Sequence, residues 1–216
     1  MTPQAYLRQA IQCLNAANHN PFVMNGLILA GGHSSRMGQP KSLLNYHGKP
    51  QCQYLAELLQ GLCAQVFISC RPDQQILFEG YETILDSSNY GDIGPLNGVL
   101  SAFDRDKNSA WLVLGCDYPL LEKSDLEQLV RERNTTCVAT VFVNPETRFP
   151  EPLHCIYEPK AGSLLLEWLQ LDNESMRRFL EQALVQKVNP YHPECLKSVD
   201  TPEEFIRIVG RVDGAE

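Results

Sequence analysis

The chain has 216 residues, of which 44% are hydrophobic, and this is enough to fill the core of one large domain. Its net charge of -8 argues against nonspecific nucleic-acid binding, because such binding needs a surplus of Lys and Arg. We expect an anionic substrate to be bound by local positive charge and a divalent metal ion instead.

Membrane and disulfide-rich classes also fit the sequence poorly. No apolar stretch reaches the roughly 18 residues that a bilayer-spanning helix requires, so we expect a cytoplasmic protein without a membrane partner. The eight cysteines include no C-x-x-C pair and fall mostly in apolar runs. We expect them to be small core residues, with a disulfide or zinc site as the alternative.

The first patterned segment precedes the first strand. Apolar residues recur at helical spacing between residues 4 and 17, at Ala5, Leu7, Ala10, Ile11 and Leu14. A polar break follows at residues 18–21. The sequence therefore predicts a helical appendage over residues 1–25 and one domain over residues 26–216. The appendage has the pattern of a docking helix and equally of a remnant of a fused neighbour.

From residue 26 onward, short runs with strand character alternate with helical patterns. Strands are predicted near residues 26–30, 64–70, 82–86, 110–116, 136–143, 151–158 and 183–189. Helices are predicted near residues 51–61, 95–104, 124–133, 160–171 and 174–182. Such alternation predicts a single-domain, three-layer α/β/α fold around a mostly parallel twisted sheet of Rossmann-like type.

Two helix starts have the spacing of a capping box, in which a hydroxyl and a carboxylate three residues apart cap each other's backbone N–H. Ser124 with Glu127 is one, and Thr201 with Glu204 is the other. Pro202 suits the first position of the last helix, where its missing N–H does no harm.

Residues 27–42 form an apolar strand that breaks into a glycine loop, Leu-Ile-Leu-Ala-Gly-Gly-His-Ser-Ser-Arg-Met-Gly-Gln-Pro-Lys-Ser. The loop holds three glycines, two serines and two cations: Gly31, Gly32, Gly38, Ser34, Ser35, Arg36 and Lys41. Glycines allow backbone N–H groups to turn inward, while the hydroxyls and cations supply further donors and positive charge. This combination predicts a polyphosphate site.

Two familiar glycine loops do not fit this stretch. A Walker A loop places Lys directly after its last glycine, whereas two residues separate Gly38 from Lys41. A dinucleotide fingerprint has G-x-G-x-x-G running into a helix, whereas here two glycines are adjacent and Pro40 interrupts the chain. A glycine turn that serves only strand-to-helix packing is the remaining alternative.

An acid ends the predicted fourth strand. Asp117 follows an apolar run, and Pro119 prevents extension of the strand. Mg²⁺ commonly takes one or two carboxylates together with phosphates and water, so Asp117 is a candidate metal ligand, with turn capping as the alternative. Ligands of open α/β sheets lie outside the carboxyl ends of the strands. The glycine loop, Asp86 after the third strand and Asp117 should therefore face one crevice.

These motifs together resemble a known family. The pattern G-G-x-S-x-R-M-G-x-x-K, the segment Gly94-Pro-Leu-Asn-Gly98, the run Gly115-Cys-Asp-x-Pro and the segment Thr201-Pro-Glu-Glu are similar to motifs of the molybdenum cofactor guanylyltransferases, the MobA-like nucleotidyltransferases. The resemblance implies transfer of GMP from GTP to the phosphate of molybdopterin or molybdenum-molybdopterin, with release of pyrophosphate and with Mg²⁺ as cofactor. It also implies other molybdenum cofactor proteins as candidate partners.

The resemblance assigns residue roles. Catalytic residues by resemblance are Arg36, Lys41 and Asp117. Nucleotide-binding residues by resemblance are Leu29, Ala30, Gly31, Gly32, Ser34, Ser35, Lys41, Ser69, Asp86, Gly98 and Asp117. The metal ligands implied are Asp117 and Asp200. Two positions depart from the family, since Ser69 and Asp200 stand where relatives often have asparagine. Alternatively, Asp200 only starts the last helix and Gly98 only permits packing.

Other functions on the same fold stay open at this stage. The run Ala30-Gly-Gly resembles the GTP-using enzymes, but a cytidylyltransferase acting on molybdopterin, or an NTP transferase acting on a sugar or polyol phosphate, would share most of the motifs. A catalytically silent nucleotide-binding regulator would be expected to lack Lys41 and Asp117, and both are present. His154, inside a strand-like run, is expected to be a hydrogen-bonded core histidine rather than a ligand.

Overall fold

The structure, a computed structural model, describes residues 23–32 and 38–212. The strands are β1 (Met24–Leu29), β2 (Val66–Cys70), β3 (Thr83–Leu85), β4 (Ala110–Gly115), β5 (Ala139–Val143), β6 (Pro150–Tyr157) and β7 (Val185–Val188). The helices are α1 (Gln51–Leu59), α2 (Pro95–Arg105), α3 (Lys123–Arg131), α4 (Lys160–Gln170), α5 (Met176–Gln182) and α6 (Pro202–Val212). Short 3-10 helices cover Lys41–Leu43, Pro72–Phe78 and Pro193–Leu196. The helix predicted over residues 4–17 lies outside the described residues.

The strands form one seven-stranded sheet in the order β3-β2-β1-β4-β6-β5-β7. All neighbouring strands are parallel except β6, which runs antiparallel to both β4 and β5. The predicted mostly parallel sheet is confirmed. Because β6 reverses direction, the hairpin between β5 and β6 lies at the same edge of the sheet as the carboxyl end of β4.

Two hydrophobic clusters cover the two faces of the sheet. Successive strand residues point to opposite faces, so Leu27 packs in the cluster with α2, α4 and α5, while Ile28 packs in the cluster with α1 and α3. Trp111 and Leu112 of β4 divide in the same way. Helices on both faces explain the near-continuous apolar runs in the strands and confirm the predicted three-layer α/β architecture.

The cap of α3 differs from the prediction. The helix begins at Lys123, and the backbone N–H of Glu122 donates to the carboxylate of Asp125 at 2.9 Å. Ser124 is therefore already inside the first turn, and the predicted capping box with Glu127 is wrong. Asp125 is buried at 1% exposure, and its other oxygen lies 3.1 Å from His192 Nδ1, so a tertiary contact fixes where this helix starts.

The cysteines and the helix lengths agree with the sequence expectations. Seven cysteines fall within the described residues, and every one of them is free. All but Cys63 are buried, which confirms their role as core residues. None of the helices formed by residues 23–32 and 38–212 has the length and apolar character needed to span a bilayer.

Candidate active site

The candidate site lies at the carboxyl ends of the parallel strands. Leu29, the last residue of β1, pairs with Ser69 in β2 and with Gly115 at the end of β4. Asp86 directly follows β3, and its backbone N–H donates to Cys70 at 3.0 Å. The start of the glycine loop, Asp86 and Asp117 therefore lie along one edge of the sheet, as the topological rule predicts.

Lys41 meets two acids from distant parts of the chain. It is the first residue of the 3-10 helix that follows Pro40. Its ammonium group donates a hydrogen bond to Asp200 Oδ1 and lies 3.9 Å from Asp117 Oδ2. The predicted convergence of the loop lysine and the strand-end acid is confirmed, and Asp200 joins them. This triad places one cation between two carboxylates near the carboxyl end of β4.

The main chain and environment of Asp117 are fixed by tertiary contacts. Its carbonyl accepts a hydrogen bond from Val199 N–H at 2.7 Å, which docks the C-terminal segment on the end of β4. Its side chain is 24% exposed. Burial raises the pKa of the Asp117 carboxyl, the ammonium of Lys41 acts to lower it, and the nearby acids Asp200 and Glu151 raise it further.

Gly115 gives the Asp117 carboxylate its space. A Cβ at Gly115 would lie 2.6 Å from Asp117 Oδ1, closer than real Cβ atoms approach other heavy atoms. The carboxylate thus folds back over the last residue of β4, and only a glycine leaves room for it. The run Gly115-Cys-Asp is recognisable in the sequence as a motif, but the space that its glycine leaves for the acid was not predicted.

Asp200 both begins a helix and faces the lysine. Its backbone N–H donates to Glu204 Oε2 at 2.8 Å, and its Oδ2 accepts a hydrogen bond from Ser198 Oγ at 3.2 Å. Thr201 N–H donates to Glu204 Oε2 at 3.1 Å and Glu204 N–H donates to Thr201 Oγ1 at 3.3 Å, so the predicted capping box is confirmed. The helix start holds the Asp200 side chain toward Lys41. Starting the last helix is therefore compatible with a metal-binding role for Asp200.

Side chains from the start of α1 and from the segment before it support the turn after Asp117. Gln51 Nε2 donates to the carbonyl of Tyr118 at 3.3 Å, and Tyr54 donates through its hydroxyl to the carbonyl of Leu121 at 2.9 Å. His47 Nε2 lies 2.7 Å from the carbonyl of Pro119. These contacts satisfy carbonyls of a tight turn that has no ladder partner, and so they hold the acid in place.

A tyrosine and a glutamate that sequence analysis did not assign lie beside Asp117. Tyr118 is buried and its hydroxyl lies near Glu151, whose carboxylate accepts a hydrogen bond from Asn144 Nδ2 at 2.9 Å. Burial raises the pKa of the Tyr118 hydroxyl, and the charges of Asp117 and Glu151 add to the effect. Glu151 is the second residue of β6, and because β6 runs antiparallel to β4, the start of β6 lies at the carboxyl end of β4.

The second group of predicted residues surrounds Asp86. Ser69 Oγ donates to Asp86 Oδ1 at 3.2 Å, and a Cβ at Gly98 would lie 2.4 Å from that hydroxyl and 2.7 Å from Leu29 Cδ2. Gly98 therefore lets α2 pack directly on the ends of β1 and β2. Burial raises the pKa of the Asp86 carboxyl, while the Ser69 hydrogen bond and the nearby guanidinium of Arg71 act to lower it.

Ser69 itself is only 1% exposed, so it supports Asp86 rather than facing the crevice. The chain after Asp86 is held by Asn97, the fourth residue of the Gly-Pro-Leu-Asn-Gly segment. Asn97 accepts from Ser87 N–H at 2.8 Å and donates to the carbonyl of Gly91 at 2.8 Å. The segment thus fixes the loop that carries Asp86, a role that its glycines alone did not suggest.

The rest of the predicted nucleotide-binding set continues from β1. Ala30 N–H donates to Ser69 at 2.8 Å, which extends the ladder one residue beyond the strand. Gly31 is half-buried and Gly32 is exposed. Three predicted residues lie outside the described residues: Ser34, Ser35 and Arg36.

His154 is buried as expected, but its hydrogen bonding differs from the prediction. Neither ring nitrogen has a hydrogen-bond partner within the part of the chain that the structure describes. Burial lowers the pKa of His154 to about 3, and the ring packs edge-on against Tyr118 with centroids 4.2 Å apart. His154 is therefore an uncharged packing residue beneath the site.

Comparison with known proteins identifies the family of the chain. Over residues 26–188 the chain matches the MobA-like NTP transferase domain. The chain belongs to this family. It is a nucleotidyltransferase, and its residues Lys41, Asp117 and Asp200 come together at the carboxyl ends of β1 and β4.

Relatives and solved structures agree. A molybdenum cofactor biosynthesis bifunctional protein of Synechocystis sp. is 32% identical over 185 residues, which are 85% of this chain and 53% of that protein, so the chain spans about half of that relative. A probable molybdenum cofactor guanylyltransferase of Trichormus variabilis is 29% identical over 88% of this chain and 92% of its own length. The crystal structure of molybdopterin-guanine dinucleotide biosynthesis protein A from Archaeoglobus fulgidus matches with a TM-score of 0.72 and 21% identity, covering 88% of this chain and 99% of that one.

MobA-like nucleotidyltransferases generally use a divalent metal ion, and the donor set here fits one. Asp117 and Asp200 offer hard carboxylate oxygens on either side of the same ammonium group. Among residues 23–32 and 38–212, no three His, Cys, Asp or Glu side chains converge as a complete metal site. Two carboxylates suit a cation that takes its remaining ligands from substrate phosphates and water.

Proposed function

We propose that this nucleotidyltransferase transfers GMP from GTP to the terminal phosphate of molybdopterin or its molybdenum-loaded form, and releases pyrophosphate. The product would be the guanine dinucleotide form of the cofactor. One observation carries the proposal: the ammonium of Lys41, at the end of a glycine loop, lies between Asp117 and Asp200. The names of the relatives, several of which are called molybdenum cofactor guanylyltransferases, support the choice of substrates.

The bond changes need alignment more than proton transfer. An oxygen of the acceptor phosphate forms a bond to the α-phosphorus of GTP, and the bond from that phosphorus to the bridging oxygen of the β-phosphate breaks. A phosphate monoester has a second pKa of about 6, so the nucleophile is already mostly ionised at neutral pH. The protein therefore has to orient the phosphates and neutralise charge, and a strong general base is not required.

Lys41 and the glycine loop supply the first part of that task. The Lys41 ammonium is at the mouth of the loop and would leave its carboxylate partners to pair with the triphosphate. Backbone N–H groups of Gly31 and Gly32 would donate to phosphate oxygens. By resemblance, Arg36 would stabilise the departing pyrophosphate, with Ser34 and Ser35 as further donors.

The two acids supply the second part. Asp117 and Asp200 would hold Mg²⁺ through their carboxylates, the oxygen donors that this ion prefers. When bound, the ion would neutralise charge on the phosphates as pyrophosphate departs. Asp117 is preorganised for this role by the Val199 hydrogen bond and by the space over Gly115.

The nucleoside would lie along the ends of β1 and β2. Asp86, held by Ser69, would accept hydrogen bonds from the base or ribose, and the backbone at Leu29 and Ala30 would line the same face, with Gly98 keeping α2 close behind. Since GTP is a cytoplasmic metabolite, the proposal also assigns the enzyme to the cytoplasm.

A substrate matrix tests the proposal. Pyrophosphate release is measured with GTP or CTP, with molybdenum-loaded or metal-free molybdopterin, and with or without Mg²⁺. We expect Mg²⁺-dependent release with GTP that requires molybdopterin. Asp117→Asn should lower turnover by at least about 10²-fold, while Asp104→Asn, a matched change at the far end of α2, should leave it unaltered. Faster release with CTP, or release with a sugar phosphate but not molybdopterin, would refute the assignment.

A further inference from the structure

The side chain of Arg71 connects the glycine loop to the segment after β2. Its Nη1 donates to the carbonyl of Gly31 at 2.8 Å. The same guanidinium pairs with Asp73, with Nε 3.2 Å from Oδ1 and Nη2 3.4 Å from Oδ2. A planar guanidinium that grips a carboxylate through two nitrogens has little rotational freedom, so the nitrogen aimed at Gly31 has a fixed position.

The backbone on which Arg71 stands is equally constrained. Arg71 directly follows β2, and its N–H donates to Gln74 Oε1 at 3.3 Å. Gln74 N–H donates in return to the carbonyl of Arg71 at 2.9 Å, and Gln74 is buried. A Cβ at Gly31 would lie 3.1 Å from Asp86 Oδ2 and 3.5 Å from Arg71 N, so the first glycine of the loop is packed against this segment.

The hydrogen bond from Arg71 to the Gly31 carbonyl also determines the direction of the Gly32 N–H. In a trans peptide the C=O and the following N–H point in opposite directions, and the described residues contain no cis peptide. Because the Gly31 carbonyl points at Arg71, the N–H of Gly32 points away from it. Gly32 is exposed, and no described atom lies within 4 Å of its would-be Cβ. Arg71 thus fixes the orientation of the Gly32 N–H donor, which points away from the segment after β2.

We propose that Arg71 is a positioning residue for triphosphate binding, which acts through the Gly31–Gly32 peptide and does not itself touch the substrate. The inference rests on the proposed function, since it requires that the loop binds phosphates. Without the guanidinium, the Gly31 carbonyl loses its fixed donor and the peptide can rotate. The Gly32 N–H is then no longer preorganised toward an anion.

The test uses two ligands that differ only in the nucleoside. Binding of GTP and of inorganic tripolyphosphate, each with Mg²⁺, is measured by calorimetry on the full chain. Arg71→Met keeps the length of the side chain and removes its donors, and it should weaken both ligands by the same factor, about tenfold to a hundredfold. Arg71→Lys keeps the charge but not the fork, and should weaken both ligands equally by a smaller factor. Arg105→Met, which removes an exposed guanidinium lying over Phe67, should change neither.

The outcomes separate the inference from the proposed function. Equal losses for both ligands support positioning of the phosphate donors. A loss for GTP alone means that Arg71 reads the nucleoside, and unchanged affinities mean that it positions nothing; either overturns the inference while the proposed function stands. If the wild-type protein binds neither ligand, the proposed function fails and the inference with it. Melting temperatures identify a misfolded Arg71→Met variant, in which case the equal or unequal losses of Arg71→Lys decide.

Discussion

A methyl group at Gly115 would collide with the carboxylate on which the proposed reaction depends. In Gly115→Ala the new Cβ would lie 2.6 Å from Asp117 Oδ1, 3.1 Å from Leu153 Cδ1 and 3.2 Å from Tyr118 Cε2. The carboxylate is the freest of these neighbours, because it ends a short side chain that is 24% exposed. We therefore expect the substitution to move the Asp117 carboxylate and to leave the sheet in place.

The size of the shift sets the size of the effect. Restoring an ordinary contact of 3.4 Å or more requires a movement of about 0.8 Å, and a misplacement of about 1 Å in a catalytic group can cost about 10²-fold in rate. Overpacking at the same position should lower the free energy of unfolding by about 1–3 kcal/mol. Turnover is measured by pyrophosphate release, and stability by urea unfolding.

A matched substitution separates the two effects. Gly210→Ala adds the same methyl group on the exposed helix α6, where no described atom lies within 4 Å of the new Cβ. It should raise the free energy of unfolding by about 1 kcal/mol and leave turnover unchanged. A Gly115→Ala enzyme that is folded and turns over at the wild-type rate would show that the position of the Asp117 carboxylate does not matter.

Three further results are expected. Lys41→Ala should lower the rate of pyrophosphate release by at least about 10²-fold. Because it removes an ammonium group from between two acids, it should also strengthen Mn²⁺ binding to the nucleotide-free protein, which electron paramagnetic resonance measures. Gly98→Ala places a Cβ 2.4 Å from Ser69 Oγ and 2.7 Å from Leu29 Cδ2, so it should raise the KM for GTP and lower the unfolding free energy by about 1–3 kcal/mol. His154 is protonated near pH 6.5 in the unfolded chain but only near pH 3 in the native state. Acidification from about pH 7.5 to about pH 5 should therefore lower the free energy of unfolding by about 2 kcal/mol, and this loss should be absent in His154→Leu. Urea unfolding at both pH values measures it.

Local periodicity was sufficient to predict the architecture. Alternating apolar runs and helical patterns gave the strands and helices in order, because each element buries a face that its own sequence defines. The direction of β6 was not predictable in this way. Whether two consecutive strands pair as a hairpin depends on the length of their connection. The seven residues between the predicted strands 136–143 and 151–158 are too few for a parallel crossover, so connection length, rather than periodicity, indicates the antiparallel pairing of β5 and β6.

The candidate site likewise contains residues that the sequence predicted and residues that it did not. The rule that ligands of open α/β sheets lie outside the carboxyl ends of the strands correctly predicted that Asp117 lies near Lys41. This rule depends only on the order and direction of the strands. The supporting residues were not predicted. Glu151 reaches Asp117 only through the reversal of β6, and Arg71 meets the glycine loop through a side chain whose orientation depends on Asp73. Such contacts join residues that are far apart in the sequence, or they depend on the rotamer of one side chain. Neither composition nor motif spacing predicts them.

Asp200 lies beyond the segment that matches the MobA-like NTP transferase domain. The match to the MobA-like domain ends at residue 188, with the last residue of β7, yet Asp200 lies twelve residues later. The Val199 hydrogen bond to Asp117 fixes where this segment docks, and the α6 cap fixes how it turns. Because the ammonium of Lys41 pairs with Asp200, the C-terminal segment also helps to fix the position of this lysine side chain. A segment that follows β7 thus supplies one of the two carboxylates that flank the ammonium of Lys41.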